Sequence, residues 1–145
     1  MKIVICSSID FTPLVSDIAV KLKELGHIIE IPQLSKKILN GDLALEDFLS
    51  VKEKFGDKNF RLGLDHDPIK FHYNLIKEAE AILVVNSKKK GIENYIGGNT
   101  FLEIGFAYTL EKKIFFLNPI PDMPYRDELE AMCPIILNND LLKIN

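Results

Sequence analysis

Glu103 is the only charged residue between Asn99 and Leu110, in a stretch that is otherwise apolar or small. A lone carboxylate on a helix that is apolar almost all round must be at least partly buried. Burial raises its pKa and demands a compensating role or partner. Just ahead of it runs Tyr95-Ile96-Gly97-Gly98-Asn99-Thr100. Gly97 and Gly98 permit close backbone approach to a ligand. Asn99 or Thr100 can cap the following helix, whose free amides then face a cleft. The same spacing reads equally well as a capping box, Thr100-x-x-Glu103, in which Glu reaches back to the cap amide. Spacing alone leaves both roles open.

A second group, Ser7-Ser8-Ile9-Asp10, offers hydroxyls and backbone amides at a strand-to-helix turn, suited to a phosphate or ribose oxygen. Ser and Asp are also ordinary turn residues. The proline-rich run Asn118 to Tyr125 is either a stiff pocket wall or a rigid connection. His66 and His72 flank a helix start, with no Cys or carboxylate at metal-ligand spacing on a shared face. Cys6 reads as a small apolar filler at a strand end, far in sequence from Cys133. No metal or organic cofactor is expected. Neither a G-x-G-x-x-G nor a G-x-x-x-x-G-K-[ST] run occurs, which removes the dinucleotide fingerprint and the P-loop. With 18 Lys and Arg against 21 Asp and Glu, the net charge of −3 lacks the basic footprint of a nucleic-acid polymer binder. Lys88-Lys89-Lys90 reads as a solvated loop rather than a phosphate clamp.

These residues need a frame, and the apolar pattern supplies one. Residues 2–6 form a short apolar run, as for a strand covered on both faces. Thr12-Pro13 starts a helix carrying Leu14, Ile18, Leu22 and Leu25, which stops at Gly26. His27 to Ile31 is a second strand. Asn40-Gly41-Asp42 is a turn, Leu43 to Phe55 a helix, and Gly56 to Gly63 a mobile loop. Asp67-Pro68 opens another helix, followed by the central strand Ala81 to Asn86. A helix over roughly 100–112, a strand at 114–117, a short helix from Pro124 to Met132 and a last strand from Ile135 to Leu137 complete the chain. Strands separated by crossover helices predict an α/β fold: three layers around a doubly wound, mostly parallel five-stranded sheet of flavodoxin or Rossmann type. All 145 residues make one domain, with a partly helical insert at about 33–62. Ligands of such sheets sit outside the carboxyl ends of the strands, which is where the Ser7, Asn86 and Leu117 loops fall. The N-terminus lacks the long apolar stretch of a signal peptide and no segment spans a bilayer, so the expected place is the cytoplasm, with no membrane partner.

The run Gly97-Gly98-Asn99-Thr100-Phe101-Leu102-Glu103-Ile104-Gly105-Phe106-Ala107-Tyr108, then Lys112-Lys113-Ile114-Phe115-Phe116-Leu117-Asn118-Pro119, resembles the nucleoside 2-deoxyribosyltransferase superfamily. The Ser-Ser-x-Asp-Phe turn and the strand ending at Asn86 are similar to that family's first turn and central strand. The resemblance implies cleavage of an N-glycosidic bond by a Glu nucleophile through a covalent sugar intermediate, with a second base or water resolving it. Carried over, Glu103 is the nucleophile. Ser7, Ser8, Asp10, Asn86, Gly97, Gly98, Asn99 and Thr100 bind substrate, and Tyr108 is a neighbour. The ligand would be a nucleoside or nucleotide and the assembly a homodimer or larger. Two positions depart from the family pattern: Gly97 and Asn86 stand where transferases tend to carry Asp. Those departures move some weight toward nucleoside 5′-monophosphate N-glycosidases, or toward a non-catalytic nucleotide-binding module, as alternatives to an enzyme of deoxyribosyltransferase type.

Overall fold

A computed structural model describes the backbone at residues 1–61 and 67–145, with side chains described at 1–54 and 67–145. Strand β1 (Lys2–Ser7) leads through a 3₁₀ turn into helix α1 (Thr12–Glu24), and β2 (Ile28–Glu30) follows. Three helices come next: α2 (Gln33–Leu39), α3 (Leu45–Arg61) and α4 (Pro68–Glu78). Then β3 (Ala81–Val85), α5 (Gly98–Thr109), β4 (Lys113–Phe116), α6 (Arg126–Ala131) and β5 (Ile135–Ile136) alternate to the end. The five strands form one sheet in the order β2-β1-β3-β4-β5, every pair parallel. This is the flavodoxin order, and its connections reverse direction between β1 and β3.

Alternation along the strands sorts the core into two layers. Ile3, Ile5, Leu83 and Val85 face α1, where they meet Val15, Ile18 and Leu22. Val4, Cys6, Ile82 and Val84 face the other way, onto Ile76 of α4, Ile104 and Ala107 of α5 and Leu129 of α6. Cys6 therefore points at the α4–α5 layer because it is even-numbered in β1.

Local chemistry sets most boundaries. Asp67 caps α4 by accepting from the amides of Ile69 at 3.0 Å and Lys70 at 3.2 Å. Gly26, at φ +87°, ends α1 in a left-handed turn. There the His27 amide donates to the Leu22 carbonyl at 3.0 Å and the Gly26 amide to that of Lys23 at 2.9 Å. Helix α5 stops at Thr109 rather than 112 because Glu111 adopts the same left-handed turn at φ +54° without being glycine.

One expectation is corrected and one open alternative is resolved. The insert is partly helical, as expected, with α2 and α3 joined by the non-helical residues 40–44, but α3 runs on through Gly56 to Arg61 instead of ending in a loop. A single glycine in a helix interior costs only about 1 kcal/mol against alanine, too little to terminate it. The remainder of the expected loop, with His66, lies outside the described residues. Of the two readings left open for Asn118 to Tyr125, the contacts favour the rigid connection. The Asn86 side chain, at the end of the central strand β3, and the Tyr125 hydroxyl, which donates to the Ile96 carbonyl, tie it down. Among the described residues no helix is long and apolar enough to cross a membrane.

Candidate active site

A cavity of ≈ 370 Å³ opens at the carboxyl end of the sheet, beside the β1–β3 reversal. Its floor is built from three elements. From β1 comes Ser7 at the lining, with Cys6 wholly buried behind it against His72. His72 of α4 is 4% exposed and lines the cavity with Pro68 and Phe71, which share its helix face. Glu103 reaches in from the second turn of α5, with Thr100 one turn earlier on the same side. Cys6 Sγ lies 3.5 Å from His72 Nε2, and His72 Nε2 lies 3.8 Å from Glu103 Oε1.

Burial sets the protonation of this cluster. Glu103 is pushed up to about 8, the desolvation being partly opposed by a hydrogen bond from the Cys6 thiol. His72 is lowered to about 4, chiefly by burial and secondarily by the positive charge of Lys36. Burial, and after it the Glu103 charge, hold the Cys6 thiol well above its ordinary range. At pH 7 imidazole and carboxyl are therefore both neutral, and their 3.8 Å approach is not an ion pair.

A linkage prediction follows from the signs. Glu103 titrates higher when folded than its ordinary 4.5, so its stabilising proton is fully effective below 4.5 and lost as pH rises through about 8. His72 titrates lower than its ordinary 6.5, so its contribution is complete above 6.5 and lost as pH falls toward 4. Between 4.5 and 6.5 the two slopes oppose each other. From pH 6.5 to 8 only the Glu103 slope remains, and stability should fall by about 2 kcal/mol, at about 1.4 kcal/mol per unit. Urea unfolding at pH 6.5 and 8 in chelator-treated buffer measures it. An equal fall in Glu103→Gln would show that the slope arises elsewhere.

The wall above β1 carries the Ser7 and Ser8 hydroxyls. Ser7 Oγ is buried without a hydrogen-bond partner, as is Oε1 of Gln33 across the cavity at the start of α2. Lys89 is drawn in by Ser8 Oγ at 2.7 Å and Asp10 Oδ1 at 3.1 Å, with its ammonium 5.3 Å from the centre of the Tyr95 ring. It is held there by a two-residue turn: Lys89 and Ile92 exchange backbone bonds around Lys90 and Gly91, both at positive φ. The basic run is thus divided. Lys88 pairs with Glu93 in solvent, while Lys89 and Lys90 border the cavity. The reading of all three as a solvated loop is corrected for Lys89, whose side chain is 13% exposed.

Of the residues singled out in the sequence, Ser7, Ser8, Gly97, Gly98, Asn99, Thr100 and Glu103 all border this one cavity. Asp10 stands behind it, holding Lys89. Asn86 is turned away: its Nδ2 donates to the carbonyls of Asn118 and Pro119, and its Oδ1 accepts from the Asn118 amide. Tyr108 is exposed and borders a different surface depression. The capping box is not formed. Gly97 is the N-cap of α5, so Thr100 sits inside the first turn and Glu103 lies too far along to reach the cap amide. A Cβ added at Gly98 would meet nothing within 4 Å, so no protein packing requires glycine there.

Sequence reasoning missed the third wall and the cluster. Gln33, Leu34 and Phe48 of the insert line the cavity, and only the helical periodicity of Leu43 to Phe55, which contains Phe48, gave any hint of it. His72, expected to lack a Cys or carboxylate neighbour, has one of each. No family model matches this chain, and no curated protein matches it.

Proposed function

We propose that the protein cleaves the N-glycosidic bond of a deoxynucleoside or nucleotide, with Glu103 as the nucleophile. The observation that carries this reading is a buried carboxyl on the floor of a ≈ 370 Å³ cavity that has hydroxyls on one wall and aromatic rings on another. That size suits a small ligand of nucleoside dimensions. Phe48, Phe71 and Tyr95 offer faces for a base. Ser7 Oγ and Gln33 Oε1 are desolvated polar atoms that a sugar's hydroxyls would satisfy. The resemblance of Gly97 to Tyr108 to deoxyribosyltransferases supports the assignment of the nucleophile.

In this mechanism an ionised Glu103 oxygen attacks the anomeric carbon. The C–N bond breaks, and the base leaves with the bonding pair and takes a proton from solvent. The sugar is left as an ester on Glu103, which water or a second base then displaces. A pKa of about 8 means that about one molecule in ten carries the carboxylate at pH 7. The positive charge that develops on the sugar in the transition state favours that form.

Lys89 and Lys90 at the cavity border favour a 5′-monophosphate substrate with water as acceptor. The test is incubation with deoxyribonucleosides and their 5′-monophosphates, with and without a second free base, reading released or exchanged base by chromatography. Release confined to monophosphates is the expected result, and exchange without net hydrolysis would make the protein a transferase. No turnover of any substrate, with binding retained, would reduce it to a nucleotide-binding module. The same reading places the protein in the cytoplasm as a homodimer or larger. The two free cysteines and the exposed Leu102 and Tyr108 of α5 support it.

A further inference from the structure

We propose that Cys6, His72 and Glu103 form a binding site for a zinc-type divalent metal ion. The donors Sγ, Nε2 and a carboxylate oxygen come from β1, α4 and α5 and all lie within 4.8 Å of one another. Zinc bonds of about 2.3 Å to sulfur and about 2.0–2.1 Å to imidazole, at a tetrahedral angle, place those two donors about 3.6 Å apart. They stand 3.5 Å apart. The same geometry asks for about 3.3 Å between imidazole nitrogen and carboxylate oxygen, where 3.8 Å is found. The Cys6 Sγ–Glu103 separation lies within the same 4.8 Å, so the Glu103 carboxylate has to move toward the other two donors as the ion binds.

The chemistry selects the metal class. A thiolate with an imidazole favours zinc, cobalt or similar ions and disfavours magnesium and calcium, which take oxygen ligands. One thiolate, one carboxylate and one neutral imidazole cancel the charge of a divalent ion, so the bound cluster is neutral in a buried place. Three protein donors are the pattern of an open zinc site, and the fourth position faces the cavity bordered by His72 and Glu103. A metal held here ties up the Glu103 carboxylate, so metal and sugar compete for the same group.

Cobalt(II) titration of the full-length, metal-free protein tests the site by its spectrum, independently of any glycosidase activity. One equivalent should produce a thiolate-to-cobalt charge-transfer band together with the intense visible bands of four-coordinate cobalt, and zinc should abolish both. The charge-transfer band should vanish in Cys6→Ala and persist in Cys133→Ser, which removes the exposed thiol. Glu103→Gln should keep the band with affinity lowered at least about 10-fold. Should Cys6→Ala fail to fold, Cys133→Ser decides alone: a full band in that variant leaves Cys6 as the sole thiolate. No charge-transfer band in the parent protein, or a band lost in Cys133→Ser, overturns the site. If base release is also found, stoichiometric zinc should suppress it and a chelator restore it.

Discussion

Glu103→Gln should leave the protein folded while base release falls by roughly 10³-fold or more, the scale expected when a covalent nucleophile is removed. The fold is expected to survive because at pH 7 the native side chain is a neutral acid, and the amide reproduces its size and hydrogen-bonding capacity. No cap is lost either, since Glu103 does not touch the N-terminal amides of α5. The melting temperature at pH 7 should therefore match the parent within a degree or two, or exceed it. At pH 8 the variant should be the more stable of the two, because it cannot ionise in a buried place. Retained turnover with the best substrate of the panel would remove Glu103 from the chemistry. Lost turnover together with a collapsed melting temperature would show only that the residue is structural.

Asn86→Asp should cost about 2–4 kcal/mol, although the two side chains have nearly the same shape. The Asn86 amide nitrogen donates at 3.1 Å to the Asn118 carbonyl and at 3.0 Å to that of Pro119. A carboxylate would turn lone pairs toward both carbonyls in a position with no exposure to solvent. Protonating it restores a single donor at most. Asn118 returns a bond from its own Nδ2 to the Asn86 carbonyl at 2.7 Å, so the damage would spread into the loop after β4. Urea denaturation reads the loss directly, and thermal melting should drop by roughly 10 °C. An unchanged midpoint would mean that the clamp contributes nothing. The result bears on the proposed function as well, because the resemblance to deoxyribosyltransferases sets this position against one where they tend to carry Asp. Here the residue fastens the end of β3 to the loop after β4 and is not among the residues lining the cavity.

The sheet was legible because each central strand is a short unbroken apolar run and each crossover has a start or stop that reads locally. Asp67-Pro68 and Gly26 announce their helix ends by side-chain and backbone chemistry confined to a few residues. Glu111 does not, because any residue can be forced left-handed when the next strand must begin at once. The cavity's glycines, its serines and Glu103 were legible because parallel sheets place ligands at strand ends. Asn86 and Asp10 lie at the same strand ends, yet their partners, Asn118 and Lys89, are distant in sequence and cannot be read locally. The cluster was invisible for the same reason. Cys6 and His72 touch across 66 residues, and nothing in either neighbourhood marks the other.

That span also orders events as the chain is made and folds. No fragment lacking β1, α4 or α5 can hold the three side chains together. β1 has only β2 to pair with until β3 has been synthesised on its other side. Such non-local pairing is slow compared with helix formation. Glu103 is therefore an ordinary exposed acid in the nascent polypeptide and acquires its altered acidity only once β1, α4 and α5 have packed around it. A stalled or truncated chain would carry the residue without its chemistry.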